Sequence, residues 1–147
     1  MKETTYIMIK PYFANYDIVI DYVKWLIEKF DLEIKDSSFI NYTIEDAQVH
    51  YAEHFRGSYE NAKGFYKELE DYITSDKAYG MVVYGEDAIS KMRWLIKSIR
   101  TTVPHMLQEE PRLTENVIHG SDCSESAENE IAVFNKLKER NANTSKR

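Results

Sequence analysis

The apolar period of this chain changes repeatedly along its length, and the order of those changes limits the folds open to it. Residues 4–9 form a short, mostly β-branched and apolar run that stops at Lys10-Pro11, which reads as a buried strand ended by a residue that cannot donate to a ladder. From Asp17 the period becomes helical: Ile18, Tyr22 and Leu26 make one row, and Val19, Val23, Ile27 and Phe30 an adjacent one, with Asp17 placed to cap them. Residues 32–41 read as a second strand, interrupted by Lys35-Asp36-Ser37-Ser38. Thr43-Ile44-Glu45-Asp46 has the spacing of a capping box and predicts a short helix carrying His50, Tyr51 and His54. A polar loop over 56–63, a helix over 65–73, a strand over 78–84 and a helix over 86–97 follow. Pro104 and Pro111 break the pattern, so 98–115 is expected to be irregular, a length of loop that small domains tend to keep for function. A short extended piece at 116–118, a helix over 124–137 with Ala127, Ile131 and Phe134 inward, and a disordered tail over 141–147 complete the chain.

Two crossovers of this kind, with strands too few for a doubly wound sheet, predict a βαββαβ order. That is an α+β, ferredoxin-like sandwich in which one four-stranded antiparallel sheet is covered by helices. With 147 residues, a single domain over 1–140 accounts for the chain. The apolar fraction of 43% and charged fraction of 30% are those of a globular protein. Nineteen Lys and Arg against twenty-five Asp and Glu leave a net charge of −6. That balance argues against a whole-domain grip on nucleic acid, and leaves room for a local basic pocket that holds a few phosphates. The single cysteine, Cys123, excludes an internal disulfide framework. No apolar run approaches a membrane span, and the N-terminus enters its first strand without a signal peptide's apolar core. The expected compartment is the cytoplasm.

Chemistry concentrates in Asn116-Val117-Ile118-His119-Gly120-Ser121-Asp122 and the helix after it. His119 is expected in a tight connection before that helix, with Gly120 removing a side chain that would block a ligand's approach to the ring. Ser126 and Glu130, four apart, share a helical face. If that face turns toward His119, the glutamate holds one ring nitrogen, fixes the tautomer and leaves the other nitrogen as a nucleophile. Taken alone, a histidine in this setting is more commonly structural. His50 and His54 have the spacing of a metal pair, but no third ligand accompanies them, and no metal site is expected.

The full string N-V-I-H-G-S-D-C-S-E-S-A-E-N-E-I resembles the active-site signature of nucleoside diphosphate kinases at every fixed position. Other segments resemble that family in the right order: Thr5-Tyr6-Ile7-Met8-Ile9-Lys10-Pro11, His50-Tyr51, Phe65-Tyr66-Lys67-Glu68-Leu69, Met81-Val82-Val83-Tyr84-Gly85, and Arg93. The resemblance implies a ping-pong phosphotransferase that moves the γ-phosphate of a nucleoside triphosphate to a nucleoside diphosphate. His119 would accept the phosphate, oriented by Glu130 and Ser121. Lys10, Tyr51, Arg93, Thr101 (or its neighbour Thr102) and Asn116 would contact phosphates and sugar, and Phe65 would stack on the base. Mg²⁺ would arrive on the ATP or other nucleotide, keeping its waters. A homo-oligomer, a hexamer or a smaller symmetric assembly, is implied as well.

Three departures accompany the likeness. Tyr12-Phe13 stands where the family has Asp-Gly, the stretch between His50 and Ser75 is longer by about six residues, and the loop before the last strand lacks the family's P-G-T-I-R-G. The arginine of that loop reaches the transferring phosphate; here Arg112, close before Asn116 and His119, is the better replacement and Arg100 the other. Loss of that clamp would lower activity, and the alternative reading is a divergent, low-activity nucleotide-binding or regulatory protein of the same fold. A nucleic-acid regulator using Lys136, Lys138, Arg140, Lys146 and Arg147 is a third, weaker reading.

Overall fold

The computed structural model describes the backbone of residues 1–55, 63–109 and 117–145, and the side chains of 1–49, 67–109 and 117–141. Its elements are β1 (Lys2–Ile9), a 3-10 turn (Phe13–Asn15), α1 (Asp17–Lys29), β2 (Glu33–Ile40), α2 (Ile44–Phe55), α3 (Lys63–Ile73), β3 (Ala78–Glu86), α4 (Ala88–Met106), β4 (Ile118–Gly120) and α5 (Ser124–Ser145). The four strands form one sheet in the order β2-β3-β1-β4, and each neighbouring pair is antiparallel. This is the expected ferredoxin-like arrangement.

The central strand β1 is buried on both faces, which is why it reads as an apolar run with little alternation. Ile7 and Ile9 join Met81 and Val83 under α1 and α4, while Tyr6 and Met8 join Leu69, Ile73, Phe134 and Leu137 of α3 and α5. Gly80 makes the second layer possible: a Cβ there would lie 2.6 Å from Phe134 Cδ1 and 2.9 Å from the Tyr6 hydroxyl. The broken apolar pattern of β2 is a bulge, because the register with β3 shifts between Ile34 and Asp36.

The capping box forms as the spacing predicts. Asp46 N donates to Thr43 Oγ1 at 3.2 Å, and Thr43 N donates back to Asp46 Oδ2 at 3.2 Å. Burial pushes the Asp46 carboxyl up, but the Thr43 bonds, with Arg140 and Lys136 of α5, hold it below its ordinary range. The same carboxylate thus starts α2 and ties it to α5.

Local reading misses in four places. Asp17 is the first residue of α1, and the N-cap position expected of it is taken by Tyr16; Asp17 acts through its charge at the positive end of the helix. The helix expected over 86–97 continues as α4 to Met106, through Pro104. Proline costs one bond of the last turn, but Ile99, Val103 and Pro104 are buried and extend the stripe of Met92, Leu95 and Ile96, so packing outweighs the missing donor. Gln108, at φ 58, closes the helix, and Glu109 N donates to Pro104 O at 2.8 Å. The last strand begins at Ile118 and includes His119 and Gly120. Finally, α5 runs to Ser145 where a disordered tail was expected from Asn141, whose side chain donates to Phe39 O of β2 at 3.2 Å. The loop expected over 56–63 and the segment 110–116 lie almost wholly outside the described residues.

Candidate active site

The outermost strand, β4, is three residues long and sits against β1, with His119 opposite Met8 and Gly120 opposite Ile7. His119 is therefore fixed in the sheet, not carried on the connection that its glycine and serine neighbours suggested. Strand alternation turns His119 toward the α5 layer and Gly120 toward α4. A Cβ on Gly120 would lie 2.4 Å from Ile96 Cδ1. The glycine lets α4 approach the strand; the space expected for a ligand is taken by Ile96.

His119 and Glu130 are both buried, and His119 Nε2 is hydrogen-bonded to Glu130 Oε1. Glu130 lies on the inward stripe of α5 with Ala127, Phe134 and Leu137, a position otherwise given to apolar side chains. An ionised carboxylate on such a stripe is strongly destabilising unless it has a partner, and the imidazole is that partner. With Glu130 ionised, Nε2 carries the ring proton, which leaves the in-plane lone pair on Nδ1. Ser121, also buried, anchors the strand end: its N–H donates to Tyr6 O at 3.1 Å, and its hydroxyl lies 3.4 Å from Tyr6 N and from Tyr6 O. These contacts hold the backbone next to His119.

Lys10 follows β1 on the same face of the strand as Met8, and its N–H donates to Val117 O at 2.9 Å beside β4. Burial, and then the positive charge of Arg100, draw its pKa down to about 7. Among the described residues no carboxylate pairs with its ammonium. Arg100 Nη2 donates to Ile118 O at 3.2 Å. Burial lowers its pKa, with Asp122 acting in the opposite direction. Arg93 Nη1 donates to Asp122 Oδ1 at 2.9 Å. Arg93, Lys97 and Arg100, with Ile96, Gly120 and Asp122, line a cleft of about 100 Å³ at the β4 edge. Thr101 is exposed on α4, its hydroxyl turned back to Lys97 O at 3.4 Å. Tyr51 falls within α2 and Phe65 within α3, but their side chains are not among those described; Arg112 and Asn116 lie outside the described residues. Among the described residues, no three His, Cys, Asp or Glu side chains gather as a metal cluster.

A family model for nucleoside diphosphate kinases matches residues 3–140. The chain belongs to the nucleoside diphosphate kinase family. A nucleoside diphosphate kinase of Staphylococcus aureus (strain JH9) is 35% identical over 136 residues, covering 90% of this chain and 87% of the relative. Among solved structures, the Aquifex aeolicus nucleoside diphosphate kinase superposes with a TM-score of 0.71 at 26% identity, covering 91% of this chain and 95% of that one. The halophilic nucleoside diphosphate kinase from Halobacterium salinarum, solved in complex with CDP, gives 0.69 at 28% identity, covering 91% and 88%.

This nucleoside diphosphate kinase-family chain builds the turn after Lys10-Pro11 without the family's Asp-Gly. Tyr12 takes φ 72, ψ −59, a conformation that costs a non-glycine residue about 1–3 kcal/mol. The ring packs edge-on against Phe13 and Tyr16, and its hydroxyl donates to Glu109. The link joins the lysine turn to the segment that leaves α4. Sequence reading also missed the Asp122–Arg93 pair and the place of Lys97 on the wall of the cleft. The signal was present in the spacing of Arg93, Lys97 and Arg100 at i, i+4 and i+7, which acquires meaning only once α4 is known to run past residue 98.

Proposed function

We propose that this chain is a nucleoside diphosphate kinase that passes the γ-phosphate of a nucleoside triphosphate to a nucleoside diphosphate through a phosphohistidine on His119. The observation that carries this is the buried pair of His119 on β4 and Glu130 on α5, with Lys10 at the end of the neighbouring strand, a buried cation that no carboxylate among the described residues pairs. In the first half-reaction the Nδ1 lone pair attacks the γ-phosphorus in line with the bridging oxygen. The N–P bond forms as the P–O bond to the β-phosphate breaks, and the diphosphate leaves with that electron pair. No proton need leave the ring, because Nε2–H stays on Glu130. The imidazole becomes positively charged on phosphorylation, and the Glu130 carboxylate stabilises that charge. A second diphosphate takes the phosphoryl group back by the reverse path, which gives ping-pong kinetics.

Lys10 and Arg93 bind the phosphates, Thr101 and Asn116 contribute polar contacts, Tyr51 meets the phosphates or sugar, and Phe65 stacks on the base. Asp122, the cleft's carboxylate among the described residues, is already paired with Arg93, so the donor set fits a Mg²⁺ that rides on the nucleotide and neutralises phosphate charge rather than one held in a protein cage. Exposed Ile18 and Trp25 on α1 and Trp94 on α4 support a symmetric homo-oligomer, a hexamer or smaller. No helix among the described residues is long and apolar enough to cross a membrane, and the reading places the protein in the cytoplasm. No observation favours the divergent, low-activity alternative.

The test is incubation with γ-labelled ATP. The wild-type chain is expected to become acid-labile and phosphorylated on His119, and His119→Ala to lose both the label and NTP–NDP exchange. Substantial exchange by a clean preparation of His119→Ala would end the phosphohistidine mechanism.

A further inference from the structure

Helix α4 carries three cations at i, i+4 and i+7, Arg93, Lys97 and Arg100, all facing the edge of β4. Like charges at this spacing repel, and the nearby carboxylate, Asp122, is bonded to the first of them. Lys10 adds a fourth positive charge, close enough to Arg100 to depress its own pKa. Such a cluster is electrostatically unfavourable as it stands and becomes favourable when an anion enters it. As the outermost strand, β4 turns a row of backbone groups away from the sheet, and Arg100 reaches one of them, Ile118 O at 3.2 Å. Arg100 thereby stands at the residue directly before His119. The cleft, about 100 Å³, is well below the usual ~300 Å³ lower bound for ligand pockets, which suits phosphate groups and not a base.

We propose that Lys97 and Arg100 bind the nucleotide's β-phosphate, forming with Arg93 a cationic rail along α4, and that Arg100 stabilises the charge that develops there during transfer. The proposal rests on the phosphoryl-transfer reading given above. As the bond from the γ-phosphorus to its bridging oxygen breaks, the β-phosphate gains one negative charge, and the rail neutralises it without transferring a proton. Lys97 acts mainly on binding, since an ammonium at an exposed helical position serves as a point charge. Arg100 acts on binding and on transfer, because its guanidinium is fixed at the strand edge.

The experiment compares ADP and AMP affinity and single-turnover phosphorylation by ATP in the wild type, Lys97→Ala, Arg100→Ala and Arg100→Lys. Lys97→Ala and Arg100→Ala are expected to weaken ADP about tenfold while AMP changes by less than about threefold. Arg100→Ala is further expected to slow phosphohistidine formation at saturating ATP by about tenfold or more, with Arg100→Lys recovering part of that rate. Lys97 makes no hydrogen bond from its side chain to β4, so its variant separates loss of charge from any disturbance of the strand edge. Equal weakening of ADP and AMP, or an unchanged ADP-to-AMP ratio in both alanine variants, overturns the proposal. A wild type that forms no phosphohistidine would overturn the kinase reading instead, and the ADP-to-AMP ratio would still decide the rail.

Discussion

If Lys10 binds the phosphates as proposed, nucleotide binding should be a proton-linked event. The pKa of Lys10 is about 7, lowered from 10.5 chiefly by burial and then by Arg100. At pH 8 about a tenth of the molecules carry the proton before binding. Nucleotide phosphates within bonding distance should restore the ammonium and raise its pKa by roughly three units, back toward its ordinary value. Binding of ADP at pH 8 is therefore expected to take up about 0.9 proton, falling to about 0.5 at pH 7. Between pH 8 and 9, where ADP's own phosphates are fully ionised, affinity should fall nearly tenfold, or about 1.4 kcal/mol. The assay is calorimetric titration with ADP in two buffers of different ionisation heat, for the wild type and Lys10→Met. The wild type should show a heat that changes with the buffer, and Lys10→Met should bind more weakly at pH 6.5 and lose the proton uptake. Identical heats in both buffers at pH 8, or an uptake that survives in Lys10→Met, would refute the reasoning. The same shift has a sign for folding: between pH about 7 and 10.5 the unfolded chain binds more protons at Lys10 than the folded chain does. Stability should therefore rise with pH across that window and fall back as pH drops toward 7. Bound nucleotide should flatten the slope.

Glu130→Gln should slow phosphorylation of His119 by at least about tenfold while ADP affinity changes by less than about twofold, because Glu130 contacts the ring and not the nucleotide; rapid-quench phosphorylation and equilibrium binding read the two separately. Gly120→Ala should lose about 1–3 kcal/mol of stability in urea unfolding, since its Cβ would lie 2.4 Å from Ile96 Cδ1, and pairing it with Ile96→Val, which removes that atom, should return part of the loss.

Much of the architecture was legible because it is written in local terms. The strands β1 and β3, the helical rows of α1, and the Thr43–Asp46 capping box depend on the period and chemistry of neighbouring residues, and each stands where the spacing placed it. The active-site string was legible for a different reason: His119, Ser121 and Glu130 come from one short stretch of chain, so their order survives any change elsewhere. Where reading failed, a local rule was overruled by a distant contact. Pro104 is a helix breaker until Ile99 and Val103 are seen to be buried on the inner stripe of α4 itself. Gly120 looks like an opening for a ligand until Ile96 is found in that space.

The sequence by itself determined which residues are candidates for the chemistry, through the signature around His119, and in what order the strands and helices form, through the periodicity of covalent neighbours. Only the tertiary structure decided how those residues are charged and aimed. The partner of Glu130, the depressed pKa of Lys10 and the alignment of Arg93, Lys97 and Arg100 along β4 all arise between elements far apart in the chain. Electrostatic energies depend on distance and burial, and neither exists until the sheet has closed against its helices.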